Sequence, residues 1–324
     1  MRILITGASG LLGLNLALEA AKEHTVFGTA NSHAFASPPS AFQVVQTDLL
    51  APGAVESLFK QTRPDWVIHC AALANVDACE ADPALASQLN TELPRKLAQL
   101  CQAPTGQADN RSSSAGNVTR GGARLLHIST DCVFDGQRGS YSEEDTPNPL
   151  GVYARTKLEG ELAVLQANPQ AIVARVNLFG WSPSGKRSLA EFFYNNLSAG
   201  KQVMGFTDVL FCPLLANDLA HVLIEMLGKG LSGVYHTVSS ECLSKYEFGL
   251  RLAHQFGLDA GLIQPTSVMQ GGLKAARSPN LSMRTDKLAA ALGHPLPSVS
   301  TGIETFYQLY QQGYPQVIQR LFTR

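Results

Sequence analysis

The 324-residue chain has no apolar run approaching the ~20 residues of a membrane span. Its opening, Met-Arg-Ile-Leu-Ile-Thr-Gly, is too short an apolar stretch for a secretory leader. A soluble, cytoplasmic protein without a membrane partner is expected. Charge of either sign is not in surplus, since 25 Lys and Arg stand against 26 Asp and Glu for a net −1. No nucleic-acid partner is advertised, while a small anionic ligand stays open. The six cysteines (Cys70, Cys79, Cys101, Cys132, Cys212, Cys242) show neither C-x-x-C nor a metal-ligand spacing. Reduced, mostly buried thiols and no bound metal are the expectation.

What is present is ample apolar material, 45% of residues, enough for one large α/β domain with an appended lobe. Strand-like runs at 2–6, 25–29, 42–47, 66–71, 124–129 and 171–176 alternate with helical stretches at 11–22, 54–61, 83–101 and around Tyr153. Such alternation implies a Rossmann-type, doubly wound parallel sheet, whose ligand crevice lies at the carboxyl ends of the strands. Gly7, Asp48, Ala71, Thr130 and Asn177 fall at those ends. Residues 1–176 are thus expected to bind a dinucleotide, with a return to the sheet near 207–238. Residues 177–206 and 239–324 would form a smaller substrate lobe. The small, polar stretch 103–122 reads as a flexible insert on the face opposite the crevice.

Thr6-Gly7-Ala8-Ser9-Gly10-Leu11-Leu12-Gly13 follows a strand and opens a helix, the context in which glycines cradle a diphosphate. Gly7 would make the tight turn, Gly10 would admit the pyrophosphate, and Gly13 would let helix pack on strand. Ser9, Leu11 and Leu12 would present backbone N–H groups at the helix start. After the second strand the chain reads Thr29-Ala30-Asn31-Ser32-His33, with no carboxylate to repel a 2′-phosphate. NADP(H) is favoured there, with Asn31 and Ser32 as hydrogen-bonding contacts, and NAD(H) remains possible. Asp48 is placed to meet the adenine amino group or to cap the next helix.

Tyr153 and Lys157 stand at i and i+4, so phenol and ammonium can share one helix face. An ammonium beside a phenol should pull its pKa from about 10 toward neutrality, making Tyr153 a proton donor or acceptor for a carbonyl–alcohol pair.

Together, Thr-Gly-x-x-Gly-x-x-Gly, Asp48-Leu49, Ala71-Ala72, Ser129-Thr130-Asp131 and Tyr153-x-x-x-Lys157 resemble the extended short-chain dehydrogenase/reductase family. Residues 69–80, 129–136 and the Tyr153 segment are similar to its dTDP-4-dehydrorhamnose reductase branch. The resemblance implies that Thr130 holds a substrate carbonyl, that Tyr153 is the general acid, and that Lys157 tunes Tyr153 and grips the nicotinamide ribose. It also places Leu49, Ala71 and Ala72 beside the cofactor and Asn90 near a proton-relay water, with helix surface polarity as the other reading of Asn90. The implied reaction is NADPH-dependent reduction of a nucleotide-linked 4-keto sugar in dTDP-L-rhamnose synthesis. A non-catalytic NADP-binding subunit, similar to the methionine adenosyltransferase regulatory subunit, and a nucleotide-sugar epimerase or dehydratase are the alternatives. Among Lys186, Arg187, Arg277 and Arg284, Arg277 is the favoured cation for the substrate diphosphate. Family members often form homodimers. The chain departs from the branch in Cys132, where tyrosine is usual, and in Arg175-Val176-Asn177-Leu178, where a substrate-facing tryptophan is usual and Trp181 comes later.

Overall fold

A computed structural model describes residues 1–32, 34–102, 122–270 and 278–322. β1 (Arg2–Thr6) leads through the glycine turn into α1 (Leu11–Ala20), followed by β2 (Thr25–Ala30) and β3 (Gln43–Gln46). α2 (Ala54–Thr62) returns to β4 (Trp66–His69). The helix expected over 83–101 is instead interrupted: after α3 (Val76–Ala81) and α4 (Pro83–Ser87) comes a π-turn, Gln88–Glu92, and then α5 (Leu93–Gln102). Pro94 supplies the reason. It has no N–H to return to the Asn90 carbonyl four residues earlier, and its ring crowds the preceding turn, so the backbone widens there.

β5 (Arg124–Thr130), α6 (Gly151–Ala167) and β6 (Ile172–Val176) complete the first run. Short elements follow: β7 (Leu178–Phe179), α7 (Leu189–Ser198), β8 (Val203–Phe206), β9 (Leu210–Phe211) and β10 (Leu214–Leu215). α8 (Ala216–Gly228) then feeds β11 (Gly233–Thr237), and β12 (Leu243–Ser244), α9 (Lys245–Phe256) and β13 (Ile263–Thr266) come next. The chain closes with α10 (Asp286–Leu292), α11 (Val299–Gln311) and α12 (Tyr314–Arg320).

Seven parallel strands form one sheet in the order β11-β6-β5-β4-β1-β2-β3. From β1 the chain winds outward in both directions, so the crevice opens between the ends of β1 and β4. Strand alternation sends Leu4, Val67, Leu125 and Val173 to a core shared with Ala98 and Val164 of α5 and α6. Ile3, Ile5, Ile68 and Leu126 point the other way, into a core with Leu14 and Leu16 of α1 and Leu219 and Leu223 of α8. Burial on both faces explains why these strands read as nearly unbroken apolar runs.

One expectation fails outright. Cys212 and Cys242 form a disulfide, while Cys70, Cys79, Cys101 and Cys132 are free thiols. β9 and β12 pair antiparallel with Phe211 opposite Leu243, so the residue after one strand meets the residue before the other. That juxtaposition is tertiary, and no local spacing announces it. The insert expected at 103–122 lies, save for its last position, outside the described residues. Among the described residues no helix is long and apolar enough to cross a membrane.

Candidate active site

The glycine turn is built as the spacing requires. Gly7 adopts φ +70°, and a Cβ there would lie 2.9 Å from the backbone of Ala71 at the end of β4. A Cβ on Gly13 would fall 2.2 Å from the Gly7 carbonyl oxygen, so α1 can approach the turn only without a side chain. Gly10 sits at the N-cap of α1 with no side-chain cap, and no acidic residue occupies the first turn. The N–H groups and positive dipole end of α1 are therefore directed at the crevice, an arrangement that suits a diphosphate. Ser9, Leu11, Ala71 and Ala72 are half-buried around this turn, and Leu12 is buried.

Asn31 and Ser32 are exposed at the end of β2, where the Asn31 carbonyl accepts from the Gln46 amide. Asp48 is exposed and accepts from Leu50 N at 3.0 Å, a local turn rather than the helix cap. Leu49 is half-buried among the apolar residues under α2 and α5.

α6 carries Tyr153, Lys157 and Glu161 at successive i+4 positions, and their three environments differ. The Thr130 hydroxyl, at the tip of β5, lies beside the Tyr153 phenol. It also donates to Asp131 Oδ1 at 3.0 Å and accepts from Cys132 N at 3.2 Å. Asp131 is in turn held by Asn177 Nδ2 at 2.5 Å. Burial, above all, pushes the Asp131 carboxyl up from its usual range, against the pull of these hydrogen bonds.

The electrostatic expectation for Tyr153 is not met. Its pKa is raised well above 10, first by burial and then by the neighbouring Cys132 and Asp131, against the pull of the nearby Thr130 hydroxyl. Lys157 does not compensate because its amine is spent elsewhere. Nζ donates to Ile128 O at 2.6 Å and lies 3.5 Å from His127 Nε2. Burial depresses the Lys157 pKa to about 8, while Glu161 and Cys70 pull it back up. A phenol with a raised pKa remains protonated at neutral pH, the state a proton donor needs.

Asn90 is fully buried, which overturns the surface-polarity reading. Its Oδ1 accepts from Leu73 N at 2.9 Å, and its Nδ2 donates to Leu73 O and to Thr156 Oγ1, each at 3.1 Å. It fastens the loop after β4 to α6. Arg277 lies outside the described residues; Arg284 is exposed and paired with Asp286 at 2.8 Å. Trp181 faces the lobe core, stacked on Phe306 with centroids 4.0 Å apart and donating to Phe306 O at 3.1 Å.

Sequence reasoning missed a buried network beneath Thr130. Register aligns Ser129, Arg175 and His236 across β5, β6 and β11. Ser129 Oγ donates to Glu161 Oε1 at 2.5 Å, and Arg175 reaches the same carboxylate through Nε at 3.0 and 3.2 Å and Nη2 at 2.8 Å. His236 Nε2 lies 3.4 Å from Arg175 Nη1, and the guanidinium sits 5.1 Å over the Phe134 ring. The available signal was a charged residue inside an apolar run, Ala-Ile-Val-Ala-Arg-Val, in a strand buried on both faces.

Residues 1–312 match the family model described as the RmlD substrate binding domain. A dTDP-4-dehydrorhamnose reductase of Mycobacterium tuberculosis is 32% identical over 302 residues, covering 91% of this chain and 88% of its own. Methionine adenosyltransferase 2 subunit beta of Rattus norvegicus is 33% identical over 276 residues, covering 82% and 75%. A crystal structure of a dTDP-4-dehydrorhamnose reductase from Clostridium acetobutylicum superposes with a TM-score of 0.77 at 25% identity, covering 96% of this chain and all of that one. With its Rossmann sheet, glycine turn and Thr130–Tyr153 pair, the chain belongs to the RmlD family within the extended short-chain dehydrogenases/reductases, a family of NAD(P)-dependent oxidoreductases.

Proposed function

We propose that this chain reduces the 4-keto group of a nucleotide-linked 6-deoxy sugar with NADPH, as in dTDP-L-rhamnose synthesis. The observation that carries the reading is that Thr130, at the tip of β5, lies beside the Tyr153 phenol of α6, at the same carboxyl edge of the sheet as the uncapped glycine turn. The residues present fit a dinucleotide, because the Gly7–Gly13 contact closes the turn that a Cβ would force open. The N–H groups from Ser9 to Gly13 would hold the diphosphate, and Asn31 and Ser32 the 2′-phosphate. Asp48 would meet the adenine, Leu49, Ala71 and Ala72 would line its pocket, and Lys157 would grip the nicotinamide ribose. NADPH, when bound, supplies the hydride.

Thr130 would hold the substrate carbonyl oxygen and Tyr153 would deliver the proton to it. Raised pKa values favour the protonated phenol before transfer. The cofactor half is assigned to residues 1–176 with the return near 207–238, and the substrate lobe to 177–206 and the region from 239 onward. Likeness to the methionine adenosyltransferase subunit supports a second reading, NADP binding without turnover.

The deciding experiment adds dTDP-4-dehydro-6-deoxy-L-mannose to the protein with NADPH and follows NADPH absorbance. Stoichiometric oxidation supports the reductase, and tight NADPH binding with no oxidation on a panel of keto sugars supports the regulatory reading. Tyr153→Phe should lower turnover by about 10²- to 10⁴-fold while leaving NADPH affinity near wild type. Wild-type turnover in that variant would falsify the assignment of the acid.

A further inference from the structure

Register aligns Thr6 with His69 and His69 with His127 across β1, β4 and β5, one polar row on the face covered by α6. All three are at most 1% exposed. Two residues earlier in each strand stand Leu4, Val67 and Leu125, ordinary apolar core. The two imidazoles stack with centroids 5.3 Å apart and planes at 25°.

The hydrogen bonds assign their protons. Thr6 Oγ1 accepts from Ala71 N at 3.2 Å and lies 2.7 Å from His69 Nδ1; among the described residues the hydroxyl proton has no other acceptor, so we assign it to Nδ1, which puts the His69 proton on Nε2. At the other end the Lys157 amine has only donors to offer, so His127 must present Nε2 as acceptor and carry its proton on Nδ1. His69 Nε2 and His127 Nδ1 are then both buried without a hydrogen-bond partner. Each such group costs about 1–3 kcal/mol. Apolar side chains would avoid that cost, so the row calls for an explanation beyond packing.

We propose that His127, locked in place by His69 and Thr6, is a positioning residue for Lys157, fixing its amine at the crevice and tying it to the turn that begins at Gly7. This rests on the reading of Lys157 as the group that grips the nicotinamide ribose. Thr6 immediately precedes the diphosphate turn, so the row joins both ends of the cofactor site through rigid strands. α6 makes room for it at Gly160, where a Cβ would stand 3.6 Å from His127 Nε2 and 2.1 Å from Asn90 O.

The groups facing Lys157 are His127 from β5, His69 and Cys70 from the end of β4, and Glu161 on α6 itself. Burial and the Lys157 charge hold both imidazoles neutral, His69 at about 3 and His127 well below its usual value. Neutral imidazoles can anchor the amine without repelling it.

The test compares wild type, His127→Leu, His127→Gln and His69→Phe in the full chain. NADPH affinity is read by fluorescence titration, and kcat from neutral to alkaline pH. His127→Leu should lose about 10- to 100-fold in kcat through misplacement of the amine, with its alkaline limb displaced. Gln, whose Oε1 can accept from Nζ, should recover most of the loss. His69→Phe keeps a stacked ring but loses the Thr6 bond, and should move the same limb less far. Wild-type kcat and pH profile in folded His127→Leu would overturn the proposal. Should that variant not fold, an unmoved alkaline limb in His69→Phe overturns it instead. Failure of wild type to bind NADPH would defeat the underlying reading of Lys157, a result visible before any variant is made.

Discussion

Breaking the Glu161–Arg175 pair should destabilise the chain far more than deleting both charges together. The two side chains are 2% and 5% exposed, and the guanidinium reaches the carboxylate through three contacts of 2.8–3.2 Å. Removing one partner strands the other charge in the sheet core, which costs about 3–5 kcal/mol. At about 2 °C per kcal/mol for a domain of this size, Arg175→Met or Glu161→Leu alone should lower Tm by roughly 6–10 °C. The double variant leaves no orphan charge, only the lost Ser129 bond of 2.5 Å, the 3.4 Å contact with His236 and the contact over Phe134. It should be less destabilised than either single change, since a buried pair replaced by apolar groups of similar volume is often close to neutral. Urea unfolding of the four proteins closes the double-mutant cycle and yields the coupling energy. Additive costs, or singles that each lose less than about 1 kcal/mol, would refute the claim that desolvation governs this pair.

Lys157 gives a pH prediction. Its folded pKa of about 8 lies below the usual 10.5, so the folded state binds fewer protons than the unfolded chain between those values. Its contribution to stability therefore rises with pH across that window, and the amine's grip on a cofactor should weaken above about pH 8. NADPH affinity measured against pH would show the break, and Glu161→Gln, which removes the charge that raises the Lys157 pKa, should move it lower. Gly13→Ala should abolish NADPH binding, because its Cβ would sit 2.2 Å from the Gly7 carbonyl oxygen and push α1 off the turn; titration of the folded variant at wild-type affinity would contradict this. Denatured, unreduced protein should titrate four free thiols with a thiol reagent and six after reduction, as Cys212 and Cys242 are paired.

The succession of strands and helices from β1 to β6 followed from apolar runs and their punctuation, and so did the Gly7–Gly13 turn, because each depends on residues a few positions apart. Tyr153 and Lys157 were visible for the same reason, being one helical turn from each other. What Lys157 does with its amine was not visible, since Ile128 and His127 reach it only when β5 packs under α6. The phenol pKa was misjudged on that account: spacing showed a cation nearby, and folding supplied burial and a competing acceptor. Asn90 showed only a polar position on a helix, whereas Pro94 and the Leu73 backbone together decided its inward turn.

By itself the sequence determined the layered α/β architecture, the glycine turn after β1 and the sharing of one helix face by Tyr153 and Lys157, all of them consequences of short-range periodicity, while Thr130 entered only through the family resemblance. Only the tertiary structure decided which buried polar groups find one another: the rows Thr6–His69–His127 and Ser129–Arg175–His236 and the Cys212–Cys242 bond. Those pairings are set by register between strands distant in the chain, and register is fixed by the packing of both sheet faces at once.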